Sequence, residues 1–178
     1  MIKLRKHPFR RFARDEEGTV TAEFAVVFPI FMAVMILSLE LSFVTMRHTM
    51  LERGLDMAVR DIRLGTGTAP AHDAIKQRIC DEPFVFNNCE ENLRLEMIPT
   101  DIRNLDGLGD TAQCTDRAET GDPVITFTPG QQNQLMLLRA CVKYDPLFPG
   151  YALANSLESD ENGQISIVSM TAFVQEPQ

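Results

Sequence analysis

The sequence predicts an α+β chain: a single N-terminal transmembrane helix that continues outward as an amphipathic stem, with a small antiparallel sheet packed on that stem. Three observations predict it. Phe24 to Val44 is a run of 21 residues whose only charge is Glu40. Beyond it, apolar residues recur at helical spacing as far as Ile62. Between Leu93 and Val174, three alternating segments are separated by loops rich in Asp, Gly and Pro. With 178 residues, the chain has room for one domain of ordinary size, but not comfortably for two plus a membrane segment.

Charge is unevenly distributed. Residues 1–18 hold six basic residues (Lys3, Arg5, Lys6, Arg10, Arg11, Arg14) against three acidic ones (Asp15, Glu16, Glu17), a net +3. Everything after Val44 holds 11 basic and 20 acidic residues, a net −9; Glu23 and Glu40 lie between, and the chain totals −8. A basic tip, an apolar bar and an acidic body form the plan of a protein anchored once in a membrane. The acidic body argues against a nucleic-acid partner, because phosphate binding needs clustered Lys and Arg that release counterions.

The apolar run, as a helix rising 1.5 Å per residue, covers about 31 Å, the thickness of one hydrocarbon core. A buried helix of a soluble protein rarely runs so far without a polar face. Basic residues precede the span, whereas the flank just beyond it is mixed (Arg47, Glu52, Arg53). The positive-inside rule therefore puts the N-terminus in the cytoplasm and residues beyond about 45 outside. A secretory signal peptide also starts basic and turns apolar, but its apolar part is typically about 7–15 residues and ends in a small-x-small cleavage site. Ser38 to Thr49, SLELSFVTMRHT, has no such site and carries a glutamate. The segment is expected to stay attached.

The start of the run, Asp15 to Phe31, reads DEEGTVTAEFAVVFPIF. A protease on the cytoplasmic membrane surface needs close backbone approach at the bond it cuts, and Gly18, lacking a Cβ, permits it. A cut there makes Thr19 the new N-terminus and Glu23 the fifth residue. Those two lie one helical turn apart, which brings the Glu23 carboxylate near a new ammonium group, its own or a neighbouring subunit's. A charge near the centre of a membrane helix costs about 2.5–3.5 kcal/mol on insertion scales unless it finds a partner. Glu23 can thus register one subunit against another. Pro29 removes one helical hydrogen bond and favours a kink that neighbouring helices can relieve. Glu40, near the outer end of the span, is expected either to reach the interface or to pair with a polar group on a partner helix.

A basic leader ending in glycine, with glutamate as the fifth residue after it, resembles the prepilin signature of type IV pilin-like proteins. More narrowly, E-E-G-T-V-T-A-E-F-A-V-V-F-P, with Glu23-Phe24-Ala25 and then Pro29, resembles the TadE-like family of pilus-assembly pseudopilins. Glu40-Leu41, the segment LERGLDMAVRDIRLG (Leu51 to Gly65) and the ending Glu176-Pro177 resemble its continuation. The resemblance covers about residues 15–65. It implies a pilin-like fold and a minor component of a tight-adherence (Flp-type) pilus system in the bacterial inner membrane, with a periplasmic outer domain. It also implies processing by a prepilin peptidase at Gly18, Thr19, Glu23 and Phe24. Contacts through Glu23, Pro29 and Glu40 would then be made with other pilin-like subunits and inner-membrane assembly proteins. Thr19 stands where the broader pilin class favours phenylalanine or methionine.

Beyond the membrane, Val44, Leu51, Leu55, Ala58 and Ile62 recur at helical spacing, with His48 filling the gap, while Glu52, Arg53, Asp56, Arg60, Asp61 and Arg63 occupy the rest. This is an amphipathic stem. Its stripe needs a cover, either the chain's own sheet, as in a pilin-like architecture, or a coiled-coil partner. Gly54 weakens the helix by about 1 kcal/mol relative to alanine. Gly65-Thr66-Gly67 and Pro70 end it. A short helix fits Ala71 to Ile79. Leu93 to Met97, parts of Leu137 to Tyr144 and Gln164 to Val174 read as strands. Thr100 to Gln134 reads as a loop, with one further strand fitting Val124 to Phe127. The resulting division is a leader (1–18), a membrane helix and stem (19–64) and an outer domain (65–178).

Cys80, Cys89, Cys114 and Cys141 all follow the span. An even number on the outer side reads as two disulfides. Four cysteines allow three pairings, and proximity in sequence favours Cys80 with Cys89 and Cys114 with Cys141. Zinc is disfavoured because no C-x-x-C spacing occurs and no histidine follows His72. A catalytic reading needs a nucleophile with a base, a metal constellation or a phosphate loop. His7, His48 and His72 fall in the leader, the stem and a helix start. Gly107-Leu108-Gly109 lacks the strand and helix of a phosphate loop, and Asp106, Asp110 and Asp116 do not follow calcium-loop spacing. No enzyme and no cofactor is expected. The expected function is interaction with lipid and other subunits. The alternative is an unprocessed single-span protein with a sensing or scaffolding outer domain.

Overall fold

The computed structural model describes residues 19–64, 71–81, 88–103, 109, 112, 114, 126–149, 159 and 162–177. The leader with Gly18, the Gly65 to Pro70 stop, Val124, and the aspartates 106, 110 and 116 lie outside them. The chain divides into two compact units, Met1–Leu39 and Glu40–Gln178.

Helix α1, Thr19–Arg63, runs for 45 residues with Pro29 inside it. In its apolar half, helical hydrogen bonds satisfy the backbone without water except at the Ala25 carbonyl, which Pro29 deprives of its donor. The hydroxyls along the helix turn inward in the same way. Ser38 Oγ donates to the Val34 carbonyl (2.8 Å), Thr45 Oγ1 to Leu41 (2.8 Å) and Thr49 Oγ1 to Thr45 (2.9 Å). Each is an i to i−4 bond that hides a polar group against its own helix. Arg60 and Arg63 occupy the last turn, where cations complement the helix dipole.

Within the outer unit, Leu51, Leu55, Ala58, Val59 and Ile62 of α1 are buried. They pack in one core with Leu93, Leu95, Met97, Met136, Leu138, Ala140, Val142, Tyr144, Ile165, Ile167 and Phe173. The cover of the stem is therefore the chain's own sheet. That sheet has three strands, β1 (Leu93–Pro99), β2 (Leu135–Tyr144) and β3 (Ile165–Val174), in the order β1-β2-β3. Both pairings are antiparallel, with Leu95 opposite Ala140 and Ala140 opposite Ser169. Val44 is partly buried against the core. His48 keeps its side chain 44% exposed, 3.5 Å from Glu52 one turn on.

Two short helices complete this layer. Helix α2, His72–Cys80, buries Ile75 and Ile79, and α3, Cys89–Asn92, leads into β1. Arg78 Nε donates to Asp61 Oδ2 at 2.7 Å and ties α2 to the stem. At Gly54, an added Cβ would meet the Ile79 carbonyl oxygen at 3.1 Å and Ile79 Cγ2 at 3.2 Å. The glycine that weakens the stem locally is thus the place where α2 approaches it.

Alternation alone would leave one face of the sheet in solvent, and only β3 behaves so, alternating almost perfectly between buried and exposed. In β2 nearly every residue is buried. The reason lies in the segment expected to be a loop. Cys114 is bonded to Cys141 on the far face of β2, and Cys80 to Cys89 beside the start of β1. Arg139 donates to the Gly109 carbonyl at 2.8 Å and pairs with Glu96 across the strands. At the outer edge of β1, the Met97 amide donates to Thr126 O (3.0 Å) and the Thr128 amide to Met97 O (2.9 Å). Phe127 thereby forms a parallel bridge with Met97, where the sequence suggests a further strand.

Candidate subunit interface

The first half of α1 presents apolar side chains around its whole circumference. Val20, Phe24, Val26, Val27, Phe28, Ile30, Phe31 and Val34 are all exposed. Only 6% of its most apolar window is buried by the rest of the chain. A buried helix of a soluble protein would be covered. Here length and composition suffice to cross a membrane. Thr19 is the first helical residue, and Glu23 stands one turn on, its side chain exposed. The Phe24 and Phe28 rings stack with centroids 5.0 Å apart. Pro29, having no N–H, leaves the Ala25 carbonyl without its usual helical donor. Gly18 itself lies outside the described residues.

Glu40 has different surroundings. It is only 3% exposed, and its partners come from its own chain. The Leu147 amide donates to Oε1 at 3.1 Å and the Phe148 amide to Oε2 at 3.0 Å. Two successive backbone N–H groups turned the same way make a small anion-binding concavity. Interfacial exposure, one of the two surroundings expected for Glu40, is not what the fold gives it: within the chain its polar partner is the turn at Leu147 and Phe148. The physical reason is that two amides in the turn beyond β2 reach the carboxyl group.

The same knot contains Arg47, two turns further along α1. Its guanidinium lies 4.4 Å above the Tyr144 ring, and Nη1 donates to the Asp145 carbonyl at 3.4 Å. Gln164 Nε2 donates to Asp145 Oδ1 at 2.9 Å, bringing in the turn before β3. Burial pushes the Tyr144 phenol above its usual range; nearby Glu40 adds to the rise and Arg47 opposes it.

The sequence offers no signal for a pairing across 107 residues. The one local cue is Pro146-Leu147-Phe148-Pro149, an uncharged turn that begins two residues after a strand ends. His72 stands at the start of α2, with Nδ1 3.0 Å from Asp73 Oδ1 and its ring edge-on to Phe127. All four cysteines are disulfide-bonded. Among the described residues, no three His, Cys, Asp or Glu side chains gather as a metal site.

The family model of TadE-like proteins matches residues 18–60, which run from Gly18 to Arg60 of α1. This is the region whose residues carry the resemblance. The three strands lie outside the match. No curated protein and no solved structure matches the chain.

Proposed function

Starting from the TadE-like character of residues 18–60, we propose that this chain is a minor pilin-like component of a tight-adherence (Flp-type) pilus assembly system. It is cut after Gly18 by a prepilin peptidase, held in the bacterial inner membrane by α1, and acts by binding other pilin-like subunits and assembly proteins. The observation that carries this reading is the apolar half of α1, uncovered by its own chain and headed by a glutamate at the fifth position after glycine. Such a surface needs lipid or neighbouring helices. The orientation places the basic leader in the cytoplasm and residues 65–178 in the periplasm, where two disulfides are at home.

Glu23 and Pro29 are the contacts between subunits in this reading. Glu40, the third residue of this reading, is held within its own unit by the Leu147 and Phe148 amides. The processing step has a direct test in N-terminal sequencing of the membrane-purified protein from hosts with and without prepilin peptidase. Thr19 is expected at the N-terminus in the first and Met1 in the second. Met1 in both samples removes the processing step from the proposal.

A further inference from the structure

The loop bonded to Glu40 has the properties of a membrane-seeking element. Asp145 to Pro149 reads DPLFP. Pro146 and Pro149 have no backbone N–H, and the two amides between them donate to Glu40. Residues 146–149 therefore hold no backbone donor that needs water, the condition for main chain to approach hydrocarbon. None of these four side chains is charged, and Leu147 is 48% exposed. Glu40 follows directly on the apolar run in the same helix. Leu39, Leu41 and Phe43 beside it on α1 are exposed apolar residues as well. Farther along α1, Arg47 holds Asp145 by its carbonyl, so charged groups resume on the strand side of the loop.

We propose that the Asp145–Pro149 loop is a second membrane contact of this protein. Hung from Glu40, it lies in the leaflet on the outer unit's side, at the boundary between headgroups and acyl chains, and Leu147 is the side chain that enters lipid. The proposal rests on the reading of α1 as a membrane anchor. The exposed Leu41 and Phe43 of the same unit favour lipid as the occupant; a second copy of the chain would need a complementary polar or packed surface for a loop this small. The amide pair also explains how a carboxyl group can sit this close to the bilayer, because its hydrogen bonds come from the loop rather than from water.

The chain contains no tryptophan, so Leu147→Trp introduces a unique fluorophore into the full-length protein. Reconstitute this variant, and separately Phe31→Trp, at one chain per disc in phosphatidylglycerol and phosphatidylcholine nanodiscs whose acyl chains are brominated near the headgroup or near the methyl end. Leu147→Trp is expected to emit at short wavelength and to be quenched by the shallow bromine more than by the deep one, with little quenching by iodide. Phe31→Trp should respond to the deep bromine. In a Glu40→Leu background, shallow quenching of Leu147→Trp should be lost while Phe31→Trp is unchanged.

Iodide quenching of Leu147→Trp without bromolipid quenching, while Phe31→Trp responds to lipid, overturns the loop contact and leaves the anchor standing. Bromolipid quenching that weakens as chains are added to each disc would mean that a second copy covers the loop, and that also overturns the proposal. Failure of Phe31→Trp to respond removes the anchor and the loop contact together. Unchanged shallow quenching in the Glu40→Leu background rejects Glu40 as the tether. The Leu147→Trp result stands on the wild-type Glu40 background, so it decides the lipid contact even where Glu40→Leu impairs folding.

Discussion

Glu40, which is buried, and Glu96, which is nearly so, are satisfied by different chemistries. Glu40 is met by two main-chain amides, whereas Glu96 is met by the guanidinium of Arg139, with side-chain exposures of 13% and 6%. From the sequence both strand residues look like solvent-facing members of an alternating pattern. The pattern assigns them correctly to the far face of the sheet, but it cannot report that this face is covered. Removing one member of a buried pair strands the other charge, a loss of about 3 kcal/mol, whereas replacing both by apolar groups is often nearly neutral. Arg139→Met is therefore expected to lower the denaturation midpoint strongly, and Glu96→Leu combined with Arg139→Met to recover most of the loss. Equal midpoints for the single and double variants would mean that the pair is screened by water and carries little of the packing.

At the scale of elements, the expected helix at 71–79 is found at His72–Cys80, and the three expected strands are all present. Periodicity made them legible because each buries one face consistently on the same core. What periodicity could not supply is the contact between elements. Gly54 shows the gap: its cost to helix propensity can be read from sequence, but its purpose depends on Ile79 lying within 3.1–3.2 Å of an added Cβ. That neighbour includes backbone, in a helix whose end is bonded through Cys80 to Cys89, so it yields little. Gly54→Leu should cost about 2 kcal/mol by overpacking. Gly54→Ala should cost less, since the gain in helix propensity of up to about 1 kcal/mol works in its favour. Thermal melts in detergent micelles compare the two, and a Gly54→Leu variant as stable as the parent would show that α2 can move away.

For the molecule as a whole, the long apolar helix and its continuation as an amphipathic stem were readable from sequence, because a long apolar run and a helical stripe are local properties. The tether at Glu40 and the covering of the far sheet face were not, because both join positions far apart in the chain through backbone groups or through a segment without periodicity. The core of the outer unit is likewise shared between residues 51–62 and the three strands. A fragment starting at Gly65 lacks Leu51 and Leu55, which are almost completely buried, and leaves the facing apolar residues of β1 and β2 uncovered. It is expected to give broad, non-cooperative unfolding by circular dichroism, while a fragment starting at Glu40 retains a cooperative transition. A sharp transition in the shorter fragment would show that the sheet is self-sufficient.

This shared core also sets an order for biogenesis. The chain is made from its N-terminus, so the stem is synthesised well before β3, although both lie on the same hydrophobic core. The apolar stripe of the stem therefore waits until its strand partners, Phe173 among them, have been made. A chain interrupted before β3 leaves that stripe partly uncovered, so the presence of β3 is checked by folding itself.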